Sequence, residues 1–110
     1  MKDINSIIVK SINPQWLNKQ ELTMAGYKLN EKKNMVQLSV AVTKDDYKYE
    51  KDGVSNIFEK FSIYAENIRP EQMASLKLGK KVRLEKVSAV VTYGDFQNNL
   101  SITGTVQFYD

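Results

Sequence analysis

The chain has 110 residues, enough for one self-supporting core and, on size, one domain spanning 1–110. It holds no cysteine and no histidine, which removes disulfides, thiolate metal sites, cysteine nucleophiles, the commonest general base and the commonest transition-metal ligand together. Sixteen basic residues against thirteen acidic ones leave a net charge of +3, which permits an anionic partner without demanding one.

The opening "MKDINSIIVKSIN" has an early Asp3 and only the short apolar run "IIV". A secretory signal needs a longer one, and no later stretch approaches a membrane span. The expectation is a cytoplasmic protein with no membrane partner. "NSIIVKSI" reads as a first strand, ended by "NPQW", since Asn-Pro favours a turn. "ELTMAGYKLN" then continues that strand after an irregular stretch, with Gly26 as a bulge or bend. In "NMVQLSVAVTK", Val36, Leu38, Val40 and Val42 alternate with Gln37, Ser39, Ala41 and Thr43. This is the cleanest period of two in the chain, and it means one buried face and one open face.

"TKDDYKYEKDGVSN" is too polar for a core and carries the turn signal Asp52-Gly53. Residues 56–68, "NIFEKFSIYAENI", read as the next strand, paired with 35–43 as a long hairpin. Alternation puts Ile57, Phe61, Ile63 and Ala65 on a core face. Its other side carries Phe58, Lys60, Ser62 and Tyr64, two aromatics and a lysine turned to water. "RPEQMASLKLG" is the one convincing helix: Pro70 suits its first position, Glu71 the positive end of its dipole and Gly79 its C-terminal cap. Met73 and Leu76, three apart, would seat it on a barrel end.

Strand signals resume in "KKVRLEKVSAVVTYGDF", which buries Val82 and Leu84, shifts register near Lys86 and runs to Tyr93. "GDFQNN" turns. "LSITGTVQFY" alternates Leu100, Ile102, Gly104, Val106 and Phe108 against Ser101, Thr103, Thr105, Gln107 and Tyr109. Three strands, one helix and two strands are what an all-β, five-stranded Greek-key OB-fold barrel requires, with its short helix between strands 3 and 4.

In "VQLSVAVTK", "FEKFSIYAENI", "LKLGKKVRLEKV" and "LSITGTVQF" the chain resembles the single-stranded-DNA-binding (SSB) proteins of bacteria and their phages. In that family a "G-x-x-V-x-L-E" turn leads into strand four, and Gly79, Val82, Leu84 and Glu85 stand at those places. The likeness covers residues 34–108 and rests on the order of elements. Two departures mark it. Cellular SSB proteins end in a disordered tail with an acidic tip, whereas this sequence ends in "QFYD" after the last strand; and "INPQWLNKQELTMAGYKLNEKKN" is unlike their compact first strands. The resemblance is to a compact phage- or mobile-element-type SSB, acting in the host cytoplasm if phage-encoded. It implies non-sequence-specific binding of single-stranded DNA, with RNA left open, protecting it in replication or recombination. It also implies a homo-oligomer, dimer or tetramer, which exposed sheet edges would suit.

Such binding needs flat π-faces for bases and positive charge for phosphates. Phe58, Lys60 and Tyr64 offer both on the open face, unless a neighbouring subunit or the segment 14–30 covers them. The tip "KDDYKYEKDG" interleaves Tyr47 and Tyr49 with Lys48, suiting an arm that folds over a strand, though Asp45, Asp46, Glu50 and Asp52 nearly cancel its lysines and an ordinary solvated loop reads the same. Tyr93 and Phe96 sit in the turn between strands four and five, either facing ligand or lidding the barrel. In "KLGKKVR" Lys77, Lys80 and Lys81 complement a helix end, and Arg83 is the phosphate contact. Trp16 either packs in the core or a subunit contact, or stacks. No calcium-loop spacing is present, so neither metal nor cofactor is expected. Without His, Cys or a carboxylate pair on a pocket wall, no enzyme is expected either. The alternative is a protein-interaction module of a phage particle or a secretion or conjugation machine.

Overall fold

Alternating apolar residues build most of this molecule, and their partners decide how it closes. The computed structural model describes residues 1–8, 11–30, 35–94 and 99–109. Strand β1 is Gln20–Asn30, β2 Met35–Asp45, β3 Lys60–Glu66, β4 Lys81–Tyr93 and β5 Asn99–Tyr109. The period of two holds wherever it was clean. Val36, Leu38, Val40 and Val42 of β2 point inward and are buried, as are Phe61, Ile63 and Ala65 of β3 and Leu100, Ile102 and Val106 of β5. Burying one such side chain fully stabilises by about 1.5–3 kcal/mol, so this register is strongly held.

The five strands form one mixed sheet that closes in a ring in the order β1-β2-β3-β5-β4. All contacts are antiparallel except β3 with β5, which run parallel from Ser62↔Ser101 to Ala65↔Gly104. The expected hairpin of β2 and β3 is present, from Met35↔Glu66 to Ala41↔Lys60. Closure is uneven. Strands β4 and β5 pair from Lys81↔Tyr109 to Tyr93↔Asn99, whereas β1 meets β4 only at Leu22↔Val82 and Thr23↔Lys81. Two backbone bonds around Met24, to the Lys80 carbonyl and from the Gly79 N–H, extend that seam by one residue (both 2.8 Å).

Bulges bend the ring, two of them where the sequence placed them, at Gly26 and near Lys86. Strand β1 shifts register between Met24 and Gly26, and β4 shifts between Leu84 and Lys86 and again between Val87 and Ala89. The β4 bulges press its backbone onto β5 at Gly104, where a Cβ would collide with the Lys86 carbonyl oxygen. Gly104 is therefore glycine because backbone occupies the place of its side chain.

The beginning of the chain corrects an expectation. The described residues between 4 and 17 form not a first strand but two single turns of helix, α1 (Ile4–Ile7) and α2 (Pro14–Leu17). Asn13 is a cap, its side-chain oxygen accepting from the Gln15 N–H at 3.0 Å, and Pro14 takes the first helical position. Ile7 and Trp16 are both fully buried, so this segment plugs one end of the ring. The helix between β3 and β4 is also shorter than expected: α3 is Pro70–Met73 and buries none of its residues. Met73 is 41% exposed and seats nothing, while Leu76, beyond the helix, is buried. A four-residue helix has no continuous face to bury, and Gln72 fixes it instead by polar bonds. Its side chain accepts from the Arg69 N–H and donates to the Val106 carbonyl, each at 3.0 Å. Gly79, expected as a helix cap, lies at φ +85° in the turn that enters β4. Among the described residues no helix is long and apolar enough to cross a membrane.

Two glycines test the packing. Gly104→Ala is expected to lower the unfolding free energy by about 1–3 kcal/mol in urea titrations, the cost of overpacking. Gly26→Ala would meet only Ser39 at an ordinary 3.9 Å, and its change should stay within about 0.5 kcal/mol.

Candidate functional site

The outward-facing residues of the sheet form rows, because directly paired residues share a face. One row runs Gly26–Ser39–Ser62–Ser101–Val91 across all five strands, and the next runs Lys28–Gln37–Tyr64–Thr103–Ala89. A third contains Thr23, Ala41 and Lys60. Most of these side chains are small, so the outer face of β2, β3 and β5 is a low floor of Ser and Thr. Tyr64 rises from its middle, half-buried at its base. Lys60 stands about 13 Å from it along β3. Tyr93 lies on the same face at the far edge, beside Asn99 and 47% exposed. Thr43 lies on this face as expected, but its hydroxyl is occupied, meeting that of Thr23 at 2.8 Å and donating to the Glu21 carboxylate at 2.7 Å. That bond is the main cause holding the Glu21 carboxyl below its ordinary value, with Lys81 at 3.4 Å adding to it.

Phe58 is not on the strand. Strand β3 begins at Lys60, and Phe58 is the third residue of a four-residue turn closed by the Glu59 N–H on the Asn56 carbonyl at 2.9 Å. Its φ is +68°, where such turns ordinarily take Gly or Asn. The ring is 78% exposed. A bulky aromatic thus occupies a strained position, at a cost of about 1–3 kcal/mol, and packs little of itself against the protein in return. Ile57, expected on the core face, is exposed beside it.

The residues of the polar tip are folded down, not held out as an arm. Trp16 is fully buried, and its Nε1–H donates to the Tyr49 hydroxyl at 2.8 Å. The Asn56 amide donates to the same hydroxyl at 2.8 Å, and that hydroxyl donates to Asp45 Oδ2 at 2.8 Å. Asp45 also accepts from the backbone of Tyr47 and Asn56 and from the Gln20 side chain, between 2.7 and 3.2 Å. Buried Asn56 exchanges bonds with the backbone of Lys2 at 2.7 and 3.0 Å. Tyr47 lies edge-on against Tyr49, ring centres 4.9 Å apart. Trp16 therefore packs the closed end of the ring with no free face to offer a base, and Tyr49, half-buried, is tied to it there by its hydroxyl. Lys48 remains exposed on the outside of this end, lining a shallow groove with Lys19 and Tyr47. Burial pushes the Tyr49 hydroxyl up to about 12, while burial of Asp45 is outweighed by its four donors, which hold its carboxyl low.

Arg83 is exposed as expected, but on the wrong side for Tyr64. In a ring of five strands β3 is flanked by β2 and β5, so the β1–β4 seam lies opposite it. Arg83 stands at that seam, its guanidinium 4.8 Å above the centre of the Tyr109 ring, beside a cleft of about 340 Å³. Phe96 falls outside the described residues.

Compared with protein-family models, curated proteins and solved structures, the chain matches none. The chemistry of the site rests on its geometry: one flat polar floor, the aromatics Tyr64, Tyr93 and Phe58 and the cation Lys60. One residue joins them that the sequence reading passed over: Lys28 shares the row of Tyr64. Its signal was the bulge at Gly26, which resets which side of β1 faces outward; Tyr27, 47% exposed, pairs with inward Leu38 and so lies on the other face.

Asp45→Asn keeps the shape and removes the charge that the donors converge on. At pH 7 it is expected to lower the unfolding free energy by about 2–3 kcal/mol, measured by urea denaturation. A carboxyl held below 3.8 in the folded chain contributes fully above that value and loses its contribution as pH falls through it and lower. The two proteins should therefore converge in stability at acid pH.

Proposed function

We propose that this protein binds single-stranded nucleic acid without sequence preference, across the outer face of β2, β3 and β5. The observation that carries the reading is Tyr64, set in the row Lys28–Gln37–Tyr64–Thr103–Ala89 above a floor of Ser39, Ser62 and Ser101. A single strand presents unstacked bases, and a flat floor with an upright aromatic accepts any of them. Duplex suits the site poorly, since its bases are already stacked and no helix among the described residues is long enough to enter a major groove.

The ring order supports the finer reading of the fold as a Greek-key barrel of the oligonucleotide-binding type. In such barrels the face of strands 2 and 3, with the loops between strands 1–2 and 4–5, holds the ligand. Lys28 stands towards the first of these loops and Tyr93 towards the second. Lys28 and Lys60, exposed on either flank, supply charge for phosphates. The SSB resemblance adds the role: coverage of single-stranded DNA during replication or recombination, in the cytoplasm. Strain at Phe58 fits as well, because positions held against their backbone preference cluster where a residue is displayed for use. The same exposed Ile57–Phe58 pair favours a second reading, a knob that fills a pocket on another protein.

Oligo-dT titration separates the two, followed by gel shift and tyrosine emission. Tyr64→Ala with Phe58→Ala is expected to weaken binding at least tenfold, since each stacked base is worth about 1–3 kcal/mol. Duplex of equal length should bind far less. No response to either ligand would turn the search to a protein partner. Phe58→Gly alone should weaken binding while raising stability by about 1 kcal/mol, because glycine tolerates positive φ. A loss of stability there would make Phe58 a packing residue.

Salt provides an independent check. The logarithm of affinity should fall linearly with the logarithm of salt concentration, as phosphate contacts release counterions. A flat response would point away from nucleic acid.

A further inference from the structure

Along the outward side of β3 stand Lys60, Ser62 and Tyr64, a cation, a hydroxyl and an aromatic ring, each about 7 Å from the next. A nucleotide presents phosphate, sugar and base in that same order. With a base against Tyr64 and its phosphate toward Lys60, the sugar lies over Ser62. The row to which Ser62 belongs carries a hydroxyl on three adjacent strands. Ser39 of β2, Ser62 of β3 and Ser101 of β5 are paired neighbours, about 5 Å from one strand to the next.

These hydroxyls are not used by the fold. Ser39, Ser62 and Ser101, with Gln37 and Thr103 on either side of Tyr64, are half-buried, and none of their side chains bonds to another described residue. Elsewhere on the sheet hydroxyls are engaged: Thr43 meets Thr23 and Glu21, and Ser88 donates to Glu66. A strand laid on the floor displaces water from the serine row, so it must return hydrogen bonds or leave those groups unpaired. Deoxyribose brings only carbon and hydrogen at its 2′ position. Ribose brings a hydroxyl that both donates and accepts, as a serine hydroxyl does.

We propose that the row Ser39–Ser62–Ser101 reads the 2′-hydroxyl, so that RNA is the preferred single strand of this protein. The inference rests on the strand-binding reading above and departs from the DNA role that the SSB resemblance implies. Phosphates do not take the place of the sugar, because exposed Lys28 and Lys60 draw them to the flanks of the floor. Nor does the contact call for any preference among bases, since the sugar is common to every nucleotide.

Oligo-U and oligo-dU of equal length carry the same bases and phosphates and differ only at the 2′ position. In parallel titrations oligo-U should bind about fivefold more tightly or better, the yield of one net hydrogen bond. Oligo-U with 2′-O-methyl groups, which cannot donate, should bind no better than oligo-dU. Ser39→Ala with Ser62→Ala and Ser101→Ala should bring the affinities for oligo-U and oligo-dU within about twofold of each other. Ser62→Ala alone, the smallest change, should already cut their ratio about twofold. Tyr64→Ala should instead weaken both by the same factor and keep the ratio. Equal binding of the two unmodified strands, an undiminished ratio in the serine variants, or undiminished binding of the methylated strand would each overturn the inference and leave strand binding standing. Failure of both strands to bind would remove the strand-binding reading itself, and this inference with it.

Discussion

The carboxylate of Asp45 is the constraint that the closed end of this molecule depends on. It sits where β2 leaves the sheet and receives four donors: the Gln20 side chain from β1, the backbone of Tyr47 and Asn56, and the Tyr49 hydroxyl. A carboxylate in apolar surroundings is costly unless its lone pairs are filled, and here they are. Tyr49 passes the constraint on, because its hydroxyl is held by both Trp16 and Asn56. Asn56 then fixes the first residues of the chain through Lys2. A loop of polar composition, residues 46–59, becomes a stopper for the ring through one ionised group.

That end governs what the open face displays. Asn56 begins the turn that holds Phe58 at positive φ, so the same network that closes the ring sets the angle at which this ring meets solvent. Strain at one residue persists only when its surroundings over-determine it, and a buried, fully bonded Asn56 two residues away supplies that rigidity. The floor of Ser39, Ser62 and Ser101 needs no such support, since its shape follows from alternation and small side chains. Rigidity and exposure are thus divided between the two halves of the molecule.

How much of this could be read in the sequence depends on how local its cause is. Alternation in β2 and β5, the bulge at Gly26, the slip near Lys86 and the start of α3 at Pro70 all have causes within a few residues, and all were legible. Residues 4–8 were not: the apolar run starting at Ile7 read as a strand, and burial of Ile7 at the plugged end goes with a helical turn instead. Packing was one of the two readings open for Trp16, but Tyr49 was missed as its partner because the two lie 33 positions apart in the chain. Phe58 was counted into β3 because alternation continues across a turn that sequence period does not register. Arg83 was placed correctly as exposed, but which side of a closed ring a residue occupies follows from strand order, a property of the whole chain. Of the site, Tyr64, Lys60 and Tyr93 were legible, and Lys28 was hidden behind the bulge.

The ring is joined very unequally. Eleven paired positions bind β4 to β5, and two bind β1 to β4. Cooperative units of a fold come apart at their thinnest join, so thermal fluctuation has a preferred first move here. The ring unzips at Leu22 and Thr23 into an open, curled sheet while the hairpins on either side stay whole. Amide protons at Met24 and Gly79 would then exchange with solvent well before those inside β2 or β5. A closed ring with one light clasp behaves, on the timescale of such breathing, as a ribbon with a fastening.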